Sequence, residues 1–313
     1  IPYWEKFLAR WPDATALSRA PLDDVLGAWS GLGYYRRARL LHQGALHVSE
    51  AHGGKIPADV EAIRGIPGVG AYTTGAIASQ AFDLPAALVD GNVARVVSRV
   101  FSIEEDVKKG KGLARAWKHA EELVVGERPG TLNNALMELG ATVCGPREPR
   151  CLLCPIRKHC SARRDGRERE LPVTTEKPAR PRLREIAIVL YSGVDPEALV
   201  LVRRVPDGLF GGMWEPPRVA APKADRHAAR AELEAALGVT ITLDEHPARK
   251  VEHVLTHLHL EVDVFSGTVD RAPTAVTGAT WDRVEVVPAT ELSRRGVSTL
   301  ARKILGVVSR QRS

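Results

Sequence analysis

The spacing of apolar positions changes character once along the chain. Up to about Arg164, apolar residues recur three and four apart, which predicts amphipathic helices over Pro21–Ser30, Tyr34–Ser49, Ala71–Ala81, Val93–Phe101 and Leu113–Val124. Glycine and proline punctuate them, as in Gly53-Gly54-Lys55-Ile56-Pro57 and Gly126-Glu127-Arg128-Pro129-Gly130. From Asp165 to Arg184 the chain is charged, proline-containing and poor in apolar residues, the composition of an interdomain linker. Beyond Arg184 the period shortens. Glu185–Tyr191 and Ala198–Arg203 read as strands joined by a turn around Gly193–Pro196. Over His253–Phe265, Leu258, Leu260, Val262 and Val264 alternate with His257, His259, Glu261 and Asp263, which predicts one strand with an apolar and a polar face. Helices over Arg226–Leu237 and Thr299–Val308 complete an α+β region. No repeat or low-complexity tract interrupts the pattern.

A length of 313 residues suits two domains, each able to bury its own core. Apolar runs fall far short of the roughly 18 residues a membrane-spanning helix needs. No basic stretch followed by an apolar run marks a secretory signal. A soluble, intracellular, two-domain protein is the expected class. The sequence opens at Ile1 without methionine, which points to a fragment or a processed product. The net charge of +6 is unevenly spread: Gly145–Arg184 holds twelve basic residues against five acids, a local +7, and the remainder is about neutral. A polyanion-binding segment and a solvated connector would both give that distribution.

All four cysteines, Cys144, Cys151, Cys154 and Cys160, lie within seventeen residues, spaced C-x6-C-x2-C-x5-C. Disulfides do not suit an intracellular chain, so the clustering points to a metal site, zinc or iron–sulfur. Structural zinc sites commonly use two close ligand pairs, and only one close pair exists here. Four thiolates along one compact loop can instead wrap a cubane, each reaching one iron. Upstream, Ile63-Arg64-Gly65-Ile66-Pro67-Gly68-Val69-Gly70-Ala71-Tyr72-Thr73 reads as helix, glycine-rich turn and second helix. Such a turn leaves N–H groups free at a helix N-terminus, where an anion is favoured. Asp90, in Val89-Asp90-Gly91-Asn92-Val93, precedes an amphipathic helix and is an N-cap candidate.

These three motifs, in this order, resemble the helix-hairpin-helix superfamily of endonuclease III and the adenine glycosylases. The resemblance implies an all-α glycosylase domain over residues 1–164 with a [4Fe-4S] cluster on the 144–160 loop, ligated by Cys144, Cys151, Cys154 and Cys160. It implies that Gly68, Val69 and Gly70 grip a DNA phosphate, and that Asp90 lies beneath the sugar of a flipped nucleotide. Bifunctional members carry a lysine on the hairpin's second helix, whose amine forms a Schiff base with the sugar. Here Gly70-Ala71-Tyr72-Thr73-Thr74 has none, which predicts a monofunctional enzyme. Tyr72, the Asp90 segment and Leu132-Asn133-Asn134-Ala135-Leu136-Met137-Glu138-Leu139-Gly140 are similar to the bacterial adenine glycosylase family, which removes adenine opposite 8-oxoguanine or guanine. Leu132, Leu136, Leu139 and Val143 form an apolar stripe, with Asn134 and Glu138 on another, polar face. On this resemblance Asp90 stabilises the oxocarbenium-like sugar, while Asn92, Tyr72 and Glu138 position and polarise around it. The family's general-acid glutamate lies in a segment ahead of the equivalent of Ile1, so the chain as written is expected to bind DNA weakly and excise adenine very slowly.

Residues 165–184 are then a linker and 185–313 a nudix-like α+β domain, suggested by Leu209-Phe210-Gly211-Gly212-Met213-Trp214-Glu215-Pro216-Pro217 ahead of the Arg226–Leu237 helix. Nudix hydrolases hold Mg²⁺ with paired acids, and those positions fall on Ala235 and Ala236, so pyrophosphate hydrolysis is not expected. The domain would instead read 8-oxoguanine, with Leu255, Thr256 and His257 at the place of the family's Phe-Ser-His loop. His253, His257 and His259 are expected to face solvent from alternating strand positions, not to bind zinc. The implied partner is double-stranded DNA containing A:8-oxoguanine or A:G mispairs, met by a cytoplasmic, nucleoid-associated monomer with no membrane contact. Competing readings are an endonuclease III-like pyrimidine or mismatch glycosylase and a non-catalytic lesion-binding protein.

Overall fold

A computed structural model describes residues 2–175, 179–193, 195, 197–221, 223, 225–245 and 249–312, with 293, 294 and 307–312 by backbone alone. Glu176, Lys177, Val194 and Pro196, which figure in the charge count and the predicted turn, lie outside the described residues, as does Ile1. Twelve α-helices are described: α1 Pro2–Arg10, α2 Ala14–Ser18, α3 Leu22–Ala28, α4 Tyr35–His52, α5 Val60–Gly65, α6 Ala71–Phe82, α7 Gly91–Phe101, α8 Gly110–Leu123, α9 Pro129–Thr142, α10 Ser161–Arg164, α11 Arg226–Leu237 and α12 Thr299–Arg312. Eight strands are described: β1 Arg182–Ser192, β2 Ala198–Arg204, β3 Trp214–Glu215, β4 Arg218–Ala220, β5 Ile241–Leu243, β6 Arg249–Val254, β7 His259–Val269 and β8 Trp281–Pro288. By packing they fall into two compact units, residues 47–177 and residues 1–46 with 178–313.

The 47–177 unit is helical. Asp59 and Asp90 cap α5 and α7, their carboxylates accepting from backbone N–H groups two or three residues on. In α7, Val93, Ala94, Val96 and Val97 turn inward and pack with Ala116 and Ala120 of α8 and Leu136 of α9. Three of the four residues of the apolar stripe predicted on α9, Leu132, Leu136 and Leu139, join this core, while Val143 caps the helix end and lines the cysteine recess instead, and Asn134 and Glu138 are exposed. Residues past Arg164 fold back onto the unit. Leu171 is buried and its carbonyl accepts from Arg99, Arg167 pairs with Glu104 and Glu170, and Thr175 donates to Asp106.

In the other unit one mixed sheet runs β3-β2-β1-β7-β5, with β4 against β1, β6 against β7 and β8 against β2. β1 and β7 pair in parallel from Arg182↔His259 to Ser192↔Val269, and the other ladders are antiparallel. Ile186, Ile188 and Leu190 face α11 residues Ala229, Leu233 and Leu237 on one side. Ala187, Val189, Leu260, Val262 and Val264 face the other, where Leu300 and Ile304 of α12 and Leu26, Tyr35 and Ala38 of α3 and α4 complete the core.

The single strand expected over His253–Phe265 is two. β6 ends at Val254, residues 255–258 reverse the chain with Leu255 N donating to Leu258 O at 2.8 Å, and β7 returns from His259. Leu258 therefore belongs to the turn, and Asp263, expected on a solvent face, is buried. Of the three histidines only His257 is exposed. His253 is half-buried with its ring 5.9 Å from that of Phe210, and burial pulls its pKa down. His259 lies 3.4 Å from the Glu252 carboxylate. Alternation marks a strand's faces and cannot show where the strand reverses, so a hairpin with a short turn reads as one run.

Candidate active site

α5, a tight turn and α6 make the helical hairpin. Gly68 adopts φ 84°, a left-handed conformation that favours glycine. Val69 N closes the turn onto Ile66 O at 3.0 Å, and Val69 packs beside Ile63 and Ala78. Gly70 caps α6 without a side-chain bond, so the first N–H groups of a twelve-residue helix remain free beside exposed Gly68 and Gly70. Tyr72, on the first turn of α6, is 42% exposed, and its hydroxyl approaches Met137 Sδ of α9 at 3.8 Å.

Asp90 sits at the start of α7, held by three donors. Oδ1 accepts from Asn92 N at 2.9 Å and Val93 N at 2.7 Å, and Oδ2 accepts from the Asn92 side-chain amide at 3.0 Å. Asn92 Oδ1 in turn accepts from Arg95 Nη2 at 2.8 Å. The same guanidinium donates to the carbonyls of Gly140 and Cys144, each at 2.7 Å, which fixes α7 to α9 and to the first cysteine. Asn92 presses on Gly140 closely enough that a Cβ there would stand 2.6 Å from Asn92 Cβ and 2.9 Å from its carbonyl oxygen. Glu138, two residues earlier on α9, is exposed.

One turn further along α7, Arg99 is 1% exposed. Its Nε donates to Leu171 O at 2.8 Å, Nη1 to Gly145 O at 2.8 Å and to Cys144 Sγ at 3.1 Å, and Nη2 to Pro146 O at 3.3 Å. All four cysteines line one recess with Arg99, Arg157 and Arg163. Among the described residues no three His, Cys, Asp or Glu gather closely enough to hold a metal ion. Burial pushes the Cys151 and Cys160 thiols up, a direction that a bound cation reverses. Four thiols around one cationic-lined recess are the donor set that suits a cluster, where each sulfur serves a different iron and the protein's cations offset the net negative charge. Arg147, Arg150, Arg157 and Lys158 are exposed around this loop.

Leu255, Thr256 and His257 form the tip of the β6–β7 hairpin in the other compact unit; Thr256 and His257 are exposed, and Leu255 is partly covered by the core. Beside Thr256 stands Tyr34, 72% exposed at φ 50°, its hydroxyl 3.4 Å from Thr256 Oγ1. Sequence reasoning passed over Tyr34, Arg95, Arg99 and Asn133. The signal for the arginines was their four-residue spacing on the valine-lined face of α7, where a lone charge without a partner would not be tolerated. For Tyr34 it was the Gly31–Gly33 run ahead of two tyrosines, whose glycines both take positive φ.

The description "HhH-GPD superfamily base excision DNA repair protein" matches residues 1–122, and "NUDIX domain" matches residues 188–306. The adenine DNA glycosylase of Mus musculus is 35% identical over 350 aligned residues, taking in 97% of this chain and 67% of the mouse protein. That of Rattus norvegicus is 33% identical over 359, taking in 100% of this chain and 69% of the rat protein. Among solved structures, a thermostable thymine-DNA glycosylase is 30% identical with a TM-score of 0.47, over 52% of this chain and 76% of that one. With both domain descriptions matched in order and identity sustained from end to end, the chain belongs to the adenine DNA glycosylases, base-excision-repair enzymes with a helical HhH-GPD domain followed by an α+β NUDIX domain.

Proposed function

We propose that this glycosylase removes adenine from A:8-oxoguanine and A:G mispairs by hydrolysis alone, with Asp90 at the reacting sugar. The observation that carries the reading is the Asp90 carboxylate, fixed at a helix start by three N–H donors and backed by Asn92 and Arg95. Cleaving an N-glycosidic bond builds positive charge on the sugar, and a carboxylate held beneath it stabilises that charge as it forms. Reaching the bond requires extruding the nucleotide, at a cost of a few kcal/mol. The uncapped N-terminus of α6 at Gly68, Val69 and Gly70 suits a backbone phosphate during that step. Tyr72 and Glu138 are assigned to the departing base. Tyrosine cannot form an imine with the sugar, so the strand is left intact. The hairpin tip at Leu255, Thr256 and His257 is assigned to the opposite 8-oxoguanine, with Tyr34 offering a stacking face beside it.

A [4Fe-4S] cluster is the group we assign to Cys144, Cys151, Cys154 and Cys160. When bound it cross-links the loop that carries the exposed Arg147, Arg150, Arg157 and Lys158, which suit DNA phosphates. The intact protein should be brown, absorb near ~400 nm and lose that band with its iron. Incubated with a duplex holding one A:8-oxoguanine pair, it should leave the strand whole until hot alkali opens the abasic site. Cleavage without alkali, or release of oxidised pyrimidines in preference to adenine, would overturn this reading in favour of an endonuclease III-like enzyme.

A further inference from the structure

We propose that Asn133 is a positioning residue for Asp90, a role that rests on the assignment of Asp90 above. Asp90 is not delivered by a helix body. It ends an irregular segment, residues 83–89, that leaves α6 at Asp83 and has no ladder or helix to hold it, yet Ala86, Ala87, Leu88 and Val89 are all buried. Its place must come from what grips it. On one side is the backbone of α6: a Cβ on Gly75 would stand 1.8 Å from Ala87 O, so the helix lies directly against that carbonyl.

On the other side is Asn133 of α9, 1% exposed. A primary amide nitrogen has two protons, and both are used. Nδ2 donates to Ser79 Oγ of α6 at 2.9 Å and to Ala86 O at 2.9 Å. One side chain thus joins the helix that carries Tyr72, the helix that carries Glu138 and the segment that ends in Asp90. A leucine, with the same branching, would leave the buried Ala86 carbonyl without its donor. The amide instead fixes Ala86, four residues before the reacting carboxylate. Misplacing a reacting group by about 1 Å can cost roughly 10²-fold in rate. A second α6–α9 bond, Gln80 Nε2 to Asn134 Oδ1 at 3.0 Å, is exposed and does not reach the segment, which makes it the natural control.

The test uses the intact, cluster-loaded protein with Asn133→Asp, Gln80→Ala and Asn133→Ala. Aspartate keeps the volume and, when ionised, has no donor to offer Ala86 O; burial raises its pKa, so the proton returns within the accessible acid range. At pH 7.5 Asn133→Asp should lower single-turnover adenine excision by about 10- to 100-fold. Affinity for a duplex carrying a non-hydrolysable adenine nucleotide should change by less than about threefold. As pH falls and the buried carboxyl gains a proton, its O–H can again donate to Ala86 O, so the rate should climb back toward the unmodified enzyme's, whose profile lacks that rise. Gln80→Ala should keep the unmodified rate. An unchanged rate in Asn133→Asp, or rate, affinity and melting temperature falling together without recovery in acid, would overturn the proposal. Asn133→Ala is read by the same split between rate and affinity if the aspartate variant does not fold, and failure of both to fold would make Asn133 a purely structural residue. Excision that survives Asp90→Asn would instead overturn the site assignment itself.

Discussion

Asp90→Asn is expected to lower single-turnover adenine excision by about 10³-fold or more while leaving the fold and DNA affinity in place. Asparagine caps a helix as well as aspartate does. Its amide oxygen can still accept from Asn92 N and Val93 N, the two bonds that start α7. The new amide nitrogen faces the Asn92 amide nitrogen, which is held by its own oxygen's bond from Arg95, so that one side-chain contact is lost while the two capping bonds remain. What disappears is the negative charge that the proposed role sets against the sugar. In a water-excluded site a unit charge a few ångströms from a developing cation is worth far more than in bulk solvent, and a neutral amide replaces little of it. Binding should hold or tighten, because removing a carboxylate from a surface proposed to meet DNA lowers its repulsion of phosphates. A variant that loses affinity and rate in equal measure would show that Asp90 serves as a cap and no more.

Arg99→Leu should have the largest effect on stability. Leucine replaces the buried aliphatic stem but leaves the carbonyls of Leu171, Gly145 and Pro146 without their donor, and Cys144 Sγ without its cation. Stranding buried polar groups on this scale costs about 3–5 kcal/mol, a large share of the ~5–15 kcal/mol that a domain commands. The loss falls on the loop that carries all four cysteines, so the iron of the proposed cluster should leave together with the ~400 nm band and at lower temperature than the NUDIX unit unfolds. Arg99→Lys keeps a charge but not the fork that reaches four acceptors, and should lie between the two. If Arg99→Leu retains full iron content and unfolds within about 1 kcal/mol of the unmodified protein, the clamp is dispensable.

Periodicity made the long elements legible because burial on one face is what sets both the spacing and the fold. α11 runs over the predicted Arg226–Leu237, and α6 differs from its expectation by one residue at the C-terminal end. β3, β4 and β5, two or three residues each, are too short to show any period. β8 was missed because its inward and outward positions are graded rather than alternating. At the site, Asp90 was legible as a cap, and the cysteines by their crowding. Arg95 and Arg99 showed only by their spacing, because the partners that fix them to α9 and to the loop beyond are mostly backbone carbonyls 45 to 72 residues away, and a carbonyl leaves no trace in the identity of the residue that bears it. The stretch past Arg164 has the composition of an interdomain linker, yet Arg167 and Thr175 spend part of that polarity on Glu104 and Asp106 of the helical unit.

Mispair-directed adenine excision through Asp90 is read most directly from the release of free adenine by the protein under single-turnover conditions, from one duplex with adenine opposite 8-oxoguanine and an otherwise identical duplex with adenine opposite thymine. Adenine is the expected released base from the first duplex, with no measurable release from the second and loss of the first signal in Asp90→Asn. Equal release from both duplexes, or release from the first that persists without Asp90, would contradict that expectation.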